Sequence, residues 1–160
     1  MESELNKFLA EGMKKYKEAS RLMVLFGKTI EKELQDILKN RKEWGPFKPE
    51  KTKETKSTKY WHEYPALNAE IKGTIKDKQY TIRIGIIWYD SKDEYPYYTV
   101  QFAYEKPNNS IIDNFISYEP KGNLENLNDI GLKMYPDPND FNLKRDFNLL
   151  LDEFIKIISK

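Results

Sequence analysis

The triplet Glu70-Ile71-Lys72 is the first pattern in this sequence whose residue types and spacing could do chemistry. A metal-dependent nuclease uses carboxylates to hold its metal and can use a lysine to polarise the attacking water. The surrounding alternation of apolar and polar residues puts Glu70 and Lys72 on the polar face of one predicted strand. The triplet therefore raises the hypothesis of a divergent metal-dependent nuclease, with Glu70 as a metal ligand.

Several features of the sequence weaken that hypothesis. Triplets of the same acid-x-lysine kind recur at three other places in this lysine-rich chain: 54–56, 90–92 and 119–121. The nearest upstream acid, Glu63, is too close to lie on a separate preceding strand. Asp90 is predicted roughly 17 Å along the sheet from Glu70, at about 3.4 Å per residue, which is several-fold too far to share a metal. The alternative is that Glu70 is an exposed strand residue with Arg83 as a diagonal cross-strand partner.

Other catalytic arrangements find little support in the residues. His62 is the only histidine and no G-x-S-x-G element accompanies a serine, so a Ser-His-Asp triad is not indicated. The chain has no cysteine, which excludes thiolate metal sites, thiol nucleophiles and disulfides. No glycine-rich phosphate-binding loop is present. We therefore predict no catalytic residue and no cofactor, and we favour a role without enzymatic chemistry.

A basic loop at 45–65 is the second candidate region. Aromatic residues that alternate with cations can stack on bases while lysines meet phosphates, which makes nucleic-acid binding through the lysine-rich stretch 48–59 an alternative function. The candidate contact residues are Lys51, Lys53, Lys56, Lys59 and Trp61. The competing interpretation is a solvated loop whose terminal aromatic residues, such as Trp44 and Trp61, anchor it on the domain.

The polar face of the predicted sheet is the third candidate. Tyrosine and arginine are enriched at protein interfaces, and an acidic turn follows the second strand. The candidate partner-binding residues are Arg83, Ile87, Tyr89, Tyr97 and Gln101, with Asp90, Asp93 and Glu94 in the turn. The alternative is that segment 119–139 folds over this face and buries it.

Residues 4–42 show a helical pattern of apolar residues. Apolar residues recur there at three- and four-residue steps, and a straight helix of that length would extend about 58 Å, longer than a domain of this size is wide. We expect a kink near Gly27 or at Ala19-Ser20. The alternative is that the overhang packs on a partner chain, and we expect that a homodimer could form through this helix.

The remaining elements are predicted as strands followed by a helix. Alternation indicates strands at 66–75, 80–89 and 97–104, with a turn at Asp77-Lys78, a less regular strand at 111–118 and a brief one at 132–135. A helix begins at Asn139 or Asp140. The fold class is therefore α+β: a long kinked N-terminal helix, an antiparallel meander of about four strands and a C-terminal helix, with both helices on one sheet face.

Length and composition set the class of the protein. The chain has 160 residues, 39% hydrophobic residues and a net charge of +1, which predicts a single domain spanning 1–160. No apolar stretch approaches the roughly 20 residues that span a bilayer, so we expect no membrane association and a cytoplasmic location. Lysine, isoleucine, asparagine and tyrosine are frequent, and their codons are AT-rich, which suggests a bacterium or phage as the source. We interpret the chain as a protein-binding module of the adaptor, inhibitor or immunity-like kind.

Overall fold

The N-terminal helix is the longest element of the protein. The computed structural model describes residues 2–50, 58–60, 66–87 and 96–160. Helix α1 (Glu2–Lys7) continues through a π-helical turn (Phe8–Gly12) into α2 (Met13–Asn40). The kink expected at Gly27 or Ala19-Ser20 is misplaced, because α2 runs through both positions without a break. The irregularity is the π-helical turn, which widens the helix by one residue near its start.

Within the described part of the chain, seven strands form one antiparallel sheet. They are β1 (Lys48–Pro49), β2 (Thr58–Tyr60), β3 (Ala66–Ile75), β4 (Lys78–Ile87), β5 (Tyr97–Ala103), β6 (Leu124–Leu127) and β7 (Gly131–Met134). The order across the sheet is β1-β3-β4-β5-β7-β6, and β2 also pairs with β3. The predicted β3-β4-β5 meander is confirmed by this order.

The buried face of the sheet follows from the alternation of each strand. Ile82, Ile84 and Ile86 are completely buried, and their neighbours on β5 are Phe102, Val100 and Tyr98 in register. Helix α4 (Leu143–Ile158) lies on this face, with ring contacts from Phe147 to Tyr98 and from Phe154 to Phe102. The second half of α2 joins the same core through Ile30, Leu34, Ile37 and Leu38. Both long helices therefore share one face of the sheet, as the sequence predicts.

The β3-β4 turn differs by one residue from the prediction. Lys76 and Asp77 occupy it with φ of 50° and 66°, the left-handed pair that a two-residue type I′ hairpin requires. The register consequently places Glu70 directly opposite Arg83 and not diagonally. Because the register changes by an even number of residues, every side chain keeps its predicted face.

The predicted strand at 111–118 is wrong, because this segment forms helix α3 (Asn109–Ile116). The Asn108 side chain caps the helix by accepting a hydrogen bond from the Ile111 amide at 3.0 Å. Ile111 and Phe115, four residues apart, are buried, and the Phe115 ring packs on Phe154 at 5.6 Å. A run of apolar residues this short fits either period, so the helix cap is the deciding signal.

Segments 45–65 and 119–139 contain more regular structure than predicted. Strands β1 and β2 lie within the expected basic loop and both pair with β3, while residues 51–57 and 61–65 lie outside the described part of the chain. Strand β7 confirms the brief strand expected at 132–135, and it pairs with β5 and β6. The β6-β7 hairpin thus extends the sheet beyond β5. The alternative that segment 119–139 folds over the outer face of the sheet is not what this hairpin does.

Candidate functional site

Residues 2–25, which we call the helical arm, carry the most exposed apolar surface in the described chain. No residue between Glu2 and Phe26 is buried. Exposed large apolar side chains of the arm are Leu5, Phe8, Leu9, Tyr16, Leu22, Val24 and Leu25. A helix that leaves its apolar face without a neighbour in the same chain offers that face for binding.

One row of side chains connects the arm to the core. Leu9, Tyr16, Met23, Ile30 and Ile37 follow each other at seven-residue steps. Leu9 and Tyr16 are each 65% exposed, Met23 is half-buried, and Ile30 and Ile37 are 0% and 5% exposed. The stripe that packs α2 on the sheet therefore continues back to Tyr16, where the described chain contains nothing that covers it. The π-helical turn at Phe8–Gly12 adds one residue, so Leu9 is displaced from this row by about a quarter turn around the helix.

The charges of the arm are divided along its length. Segment 2–11 carries three carboxylates and one lysine, a net −2, while segment 14–21 carries four basic side chains and one carboxylate, a net +3. Arg21 donates to Glu18 at 2.6 Å, and both side chains are more than half exposed. Such exposed pairs contribute little to folding, so the separation of charge is available to a partner.

An apolar groove adjoins the base of the arm. Its volume is about 520 Å³, and Phe26 meets the Phe141 ring across it at 5.3 Å. Leu22, Met23, Leu25 and Thr29 complete the lining on the helix side. Because Met23 also belongs to the row that reaches the sheet, the groove adjoins the stripe at this residue.

The outer sheet face presents less aromatic surface than the alternation suggested. Tyr97 is 4% exposed, and Ile87 and Gln101 are half-buried. Lys133 on β7 lies over the ring of Tyr97 at 5.5 Å. The exposure expected of Tyr97 is therefore not found, although its position beside Arg83 and Gln101 on one face is as predicted.

Glu70, Arg83 and Tyr104 form a polar cluster on this outer face. Arg83 Nε and Nη2 donate to Glu70 Oε1 at 3.1 and 2.9 Å, and the Tyr104 hydroxyl donates to the same oxygen at 2.6 Å. The hydrogen bond to Glu70 raises the pKa of Tyr104. Tyr104 has a φ of +69°, and Arg83 lies 5.3 Å from its ring centre. The Glu70 carboxylate therefore accepts hydrogen bonds from one cationic side chain, Arg83, and one neutral side chain, Tyr104.

The nuclease hypothesis gains no ligand set from this geometry. Within residues 2–50, 58–60, 66–87 and 96–160, no three histidine, aspartate or glutamate side chains come together as a metal site. Lys72 opposes Thr81 on β4, two residue pairs along from the Glu70–Arg83 pair. Glu70 is therefore better described as the acceptor of an ion-pair cluster than as a metal ligand.

Several predicted site residues lie outside the described part of the chain. They are Tyr89, Asp90, Asp93 and Glu94 of the acidic turn, and Lys51, Lys53, Lys56 and Trp61 of the basic loop. Lys59 lies in β2, opposite Leu67 of β3. The described structure thus pairs Arg83 with Gln101 and Ile87 with Tyr97 on one sheet face, and the other proposed contacts stay predictions.

Sequence reasoning named the helix but not the extent of its exposed surface. The available signal was the length of the apolar row, since a single sheet face cannot cover all of Leu9, Tyr16, Met23, Ile30 and Ile37. Tyr104 was also missed as a partner of Glu70, because its position follows the end of β5 and depends on a left-handed residue.

Comparisons with protein-family models, with curated proteins and with solved structures find no match to this chain. Among the described residues, no helix has the length and apolar character needed to cross a membrane.

Proposed function

We propose that this chain is a non-enzymatic protein-binding module whose docking surface is the helical arm. The observation that carries this proposal is the exposed apolar stripe that begins at Leu5 and Phe8 and continues to Val24. Contiguous apolar surface on this scale is uncommon on a protein without a partner and is typical of interaction sites. An adaptor, inhibitor or immunity-like role is consistent with such a surface.

The arm is a better docking surface than the outer sheet face, which the sequence favoured. Arg83 is engaged with Glu70, and Tyr97 has little exposed area, so neither side chain is free to act as a large interface anchor. Leu9 and Tyr16 are free to do so, because about two thirds of each is exposed. In this proposal the outer sheet face makes a smaller, polar contribution to binding.

A triple substitution of the stripe tests the proposal. Leu5→Gln, Leu9→Gln and Tyr16→Gln together replace exposed apolar side chains with a residue of comparable helix propensity. Binding of the wild-type chain to itself and to proteins of its source extract is measured by sedimentation velocity and by affinity capture. We expect the triple variant to lose the interactions that wild type makes, because the buried apolar area is their main driving force.

A matched control uses polar positions of the same arm. Asn6→Gln, Lys14→Gln and Glu18→Gln make three substitutions, leave the net charge of the arm unchanged and spare the apolar stripe. This variant should retain every interaction. The proposal is wrong if wild type binds neither itself nor another protein, or if the stripe variant binds as well as the control.

A further inference from the structure

We infer that the partner of the helical arm presents one acidic amphipathic helix, which lies on the apolar stripe in the space beside the domain. This partner deepens the proposed function and rests on it. Three features of the arm point to it: the side toward which the stripe faces, the lysines that border the stripe and the apolar groove at its base.

The stripe faces the same side of the helix as the residues that pack α2 on the domain. Helix α2 is continuous from Met13 to Asn40, so Tyr16 and Ile30 differ in direction by only about 40° at about 100° per residue. Ile30 is completely buried in the core, which places the domain on this side. A flat surface laid on Tyr16, such as a bilayer, would therefore collide with the domain. A single helix, about 10–12 Å in diameter, can lie beside it.

The length of free stripe on α2 matches a short helix. From Met13 to Phe26 the stripe extends about 20 Å, at about 1.5 Å per residue. Tyr16 is 65% and Val24 48% exposed, and Met13 and Met23 are half-buried. Tyr16, Met23 and Val24 follow the i, i+7, i+8 spacing with which one helix packs its apolar face on another surface.

Three lysines, which we call the rim, border the stripe on both edges. Lys15 and Lys17 are the neighbours of Tyr16, so they project about 100° to either side of it. Lys28 lies about three turns after Lys17 on the same edge. All three side chains are exposed, and none forms an ion pair with a carboxylate in the described part of the chain. The rim therefore offers its charge to a partner.

The rim contains no compensating acid. Segment 13–28 carries five basic side chains and one carboxylate, a net +4. That carboxylate, Glu18, projects about 160° from Tyr16, toward the rear of the helix, where it pairs with Arg21. Complementary charge around an apolar contact speeds association and excludes partners of the same sign. Aspartate and glutamate on both sides of the partner's apolar face are the complement of this rim.

The apolar groove gives the partner helix an anchor close to the domain. Its lining includes Met23 of the stripe and Phe26, whose ring lies 5.3 Å from that of Phe141. Phe141 precedes α4 and is 47% exposed. Stripe and groove thus form one apolar surface that runs from Tyr16 to Phe141, and the end of the partner helix nearest the domain occupies the groove.

Two designed peptides test this partner chemistry. Both are amphipathic helices of about 18 residues, or about 27 Å, with leucine along one face. The acidic peptide has glutamate at every position that borders the leucine face, and the basic peptide has lysine at the same positions. Binding to the full-length chain is measured by fluorescence anisotropy at low salt. We expect micromolar binding of the acidic peptide and at least tenfold weaker binding of the basic peptide.

Charge reversal of the rim is compared with the same reversal at the rear of the helix. The rim variant carries Lys15→Glu, Lys17→Glu and Lys28→Glu. The control variant carries three reversals about 140–160° from Tyr16: Lys14→Glu, Arg21→Glu and Lys32→Glu. Both variants change the net charge equally. We expect the rim variant to bind the acidic peptide at least tenfold more weakly than wild type and to prefer the basic peptide, while the control stays within about threefold of wild type.

Each other outcome overturns the acidic helix as partner. A wild type that binds neither peptide at millimolar concentration does so, as does equal weakening by the rim and control variants. Binding to phosphatidylglycerol vesicles as tight as to the acidic peptide would assign the stripe to a membrane instead. If the rim variant still captures a protein that the stripe variant loses, the docking function stands and only the partner chemistry is wrong. If wild type binds no peptide and captures nothing, both proposals fail.

Discussion

The two halves of the N-terminal helix carry the same apolar pattern but have opposite surroundings. Tyr16 and Ile30 lie in one row, fourteen residues apart, yet Tyr16 is 65% exposed whereas Ile30 is completely buried in the hydrophobic core. The pattern alone sets the secondary structure and the direction of the apolar face. Whether that face is buried depends on how far the rest of the domain reaches along the helix. The arm extends beyond the part of the helix that the domain covers.

The ion pairs of the molecule repeat this contrast. Glu70–Arg83 in the sheet and Glu18–Arg21 in the arm have similar lengths, 2.9 and 2.6 Å. The Glu70 and Arg83 side chains are 15% and 30% exposed, whereas those of Glu18 and Arg21 are more than half exposed. Because water screens exposed charges, equal geometry does not imply equal stabilisation.

The largest expected effect is the loss of core packing at Ile30. Ile30→Ala should lower the free energy of unfolding by about 3 kcal/mol, because it leaves a cavity in a close-packed core. Tyr16→Ala in the same row should change monomer stability by less than about 0.5 kcal/mol. Urea denaturation, at a protein concentration low enough to keep the chain monomeric, measures the free energy of unfolding of both variants. Similar losses at the two positions would contradict the division of the helix into core and arm.

A smaller effect is expected at the Glu70 cluster. Glu70→Gln should destabilise the fold by about 1 kcal/mol, since Arg83 loses its charged acceptor on a partly buried surface. Arg83→Lys is the informative companion, because lysine keeps the charge but cannot reproduce the two guanidinium hydrogen bonds. A denaturation midpoint that is unchanged in both variants would show that the cluster is not structural.

The same cluster gives a pH dependence with a defined sign. Glu70 raises the pKa of Tyr104 above that of an unfolded tyrosine. The stability that Tyr104 contributes is therefore complete below about pH 10 and is lost as pH rises through the folded pKa. Wild type should lose more stability than Tyr104→Phe as the pH rises above about 10 in denaturation experiments. An identical pH profile for the two chains would rule out this contribution.

The smallest effect is expected for the ion pair of the arm. Glu18→Gln should leave the unfolding midpoint unchanged within error, because Glu18 and Arg21 are exposed on a single helix. The hydrogen bond from Arg21 lowers the pKa of Glu18, and this shift should be measurable by NMR titration even where stability does not change. A clear loss of stability would contradict this prediction and would mean that the exposed Glu18–Arg21 pair stabilises the fold.

Much of the fold could be predicted from the sequence because its strands alternate cleanly. Ile82, Ile84 and Ile86 predict a half-buried strand, and the structure confirms it. The helix at Asn109–Ile116 was missed because its short apolar run fits two periods, and the register of β3 and β4 shifted because Lys76 and Asp77 adopt left-handed conformations. Local pattern does not determine either feature, since both depend on a cap or a turn.

The candidate site was harder to predict than the fold. The apolar stripe of the arm was visible in the spacing of Leu9, Tyr16 and Met23, but its exposure depends on how far the sheet reaches along the helix. The opposition of Glu70 and Arg83 depends on one turn residue. Surface properties of this kind arise from tertiary packing, so a sequence pattern predicts them only as alternatives.

Thiol labelling at two positions of the long helix measures the division into core and arm most directly. The chain has no cysteine, so Tyr16→Cys and Ile30→Cys can be introduced one at a time without a background. Tyr16 is 65% exposed, whereas Ile30 is completely buried. We predict that the thiol of Tyr16→Cys reacts as fast as that of a small free thiol, and that the thiol of Ile30→Cys reacts only when the fold opens. Equal labelling rates at the two positions would contradict the account.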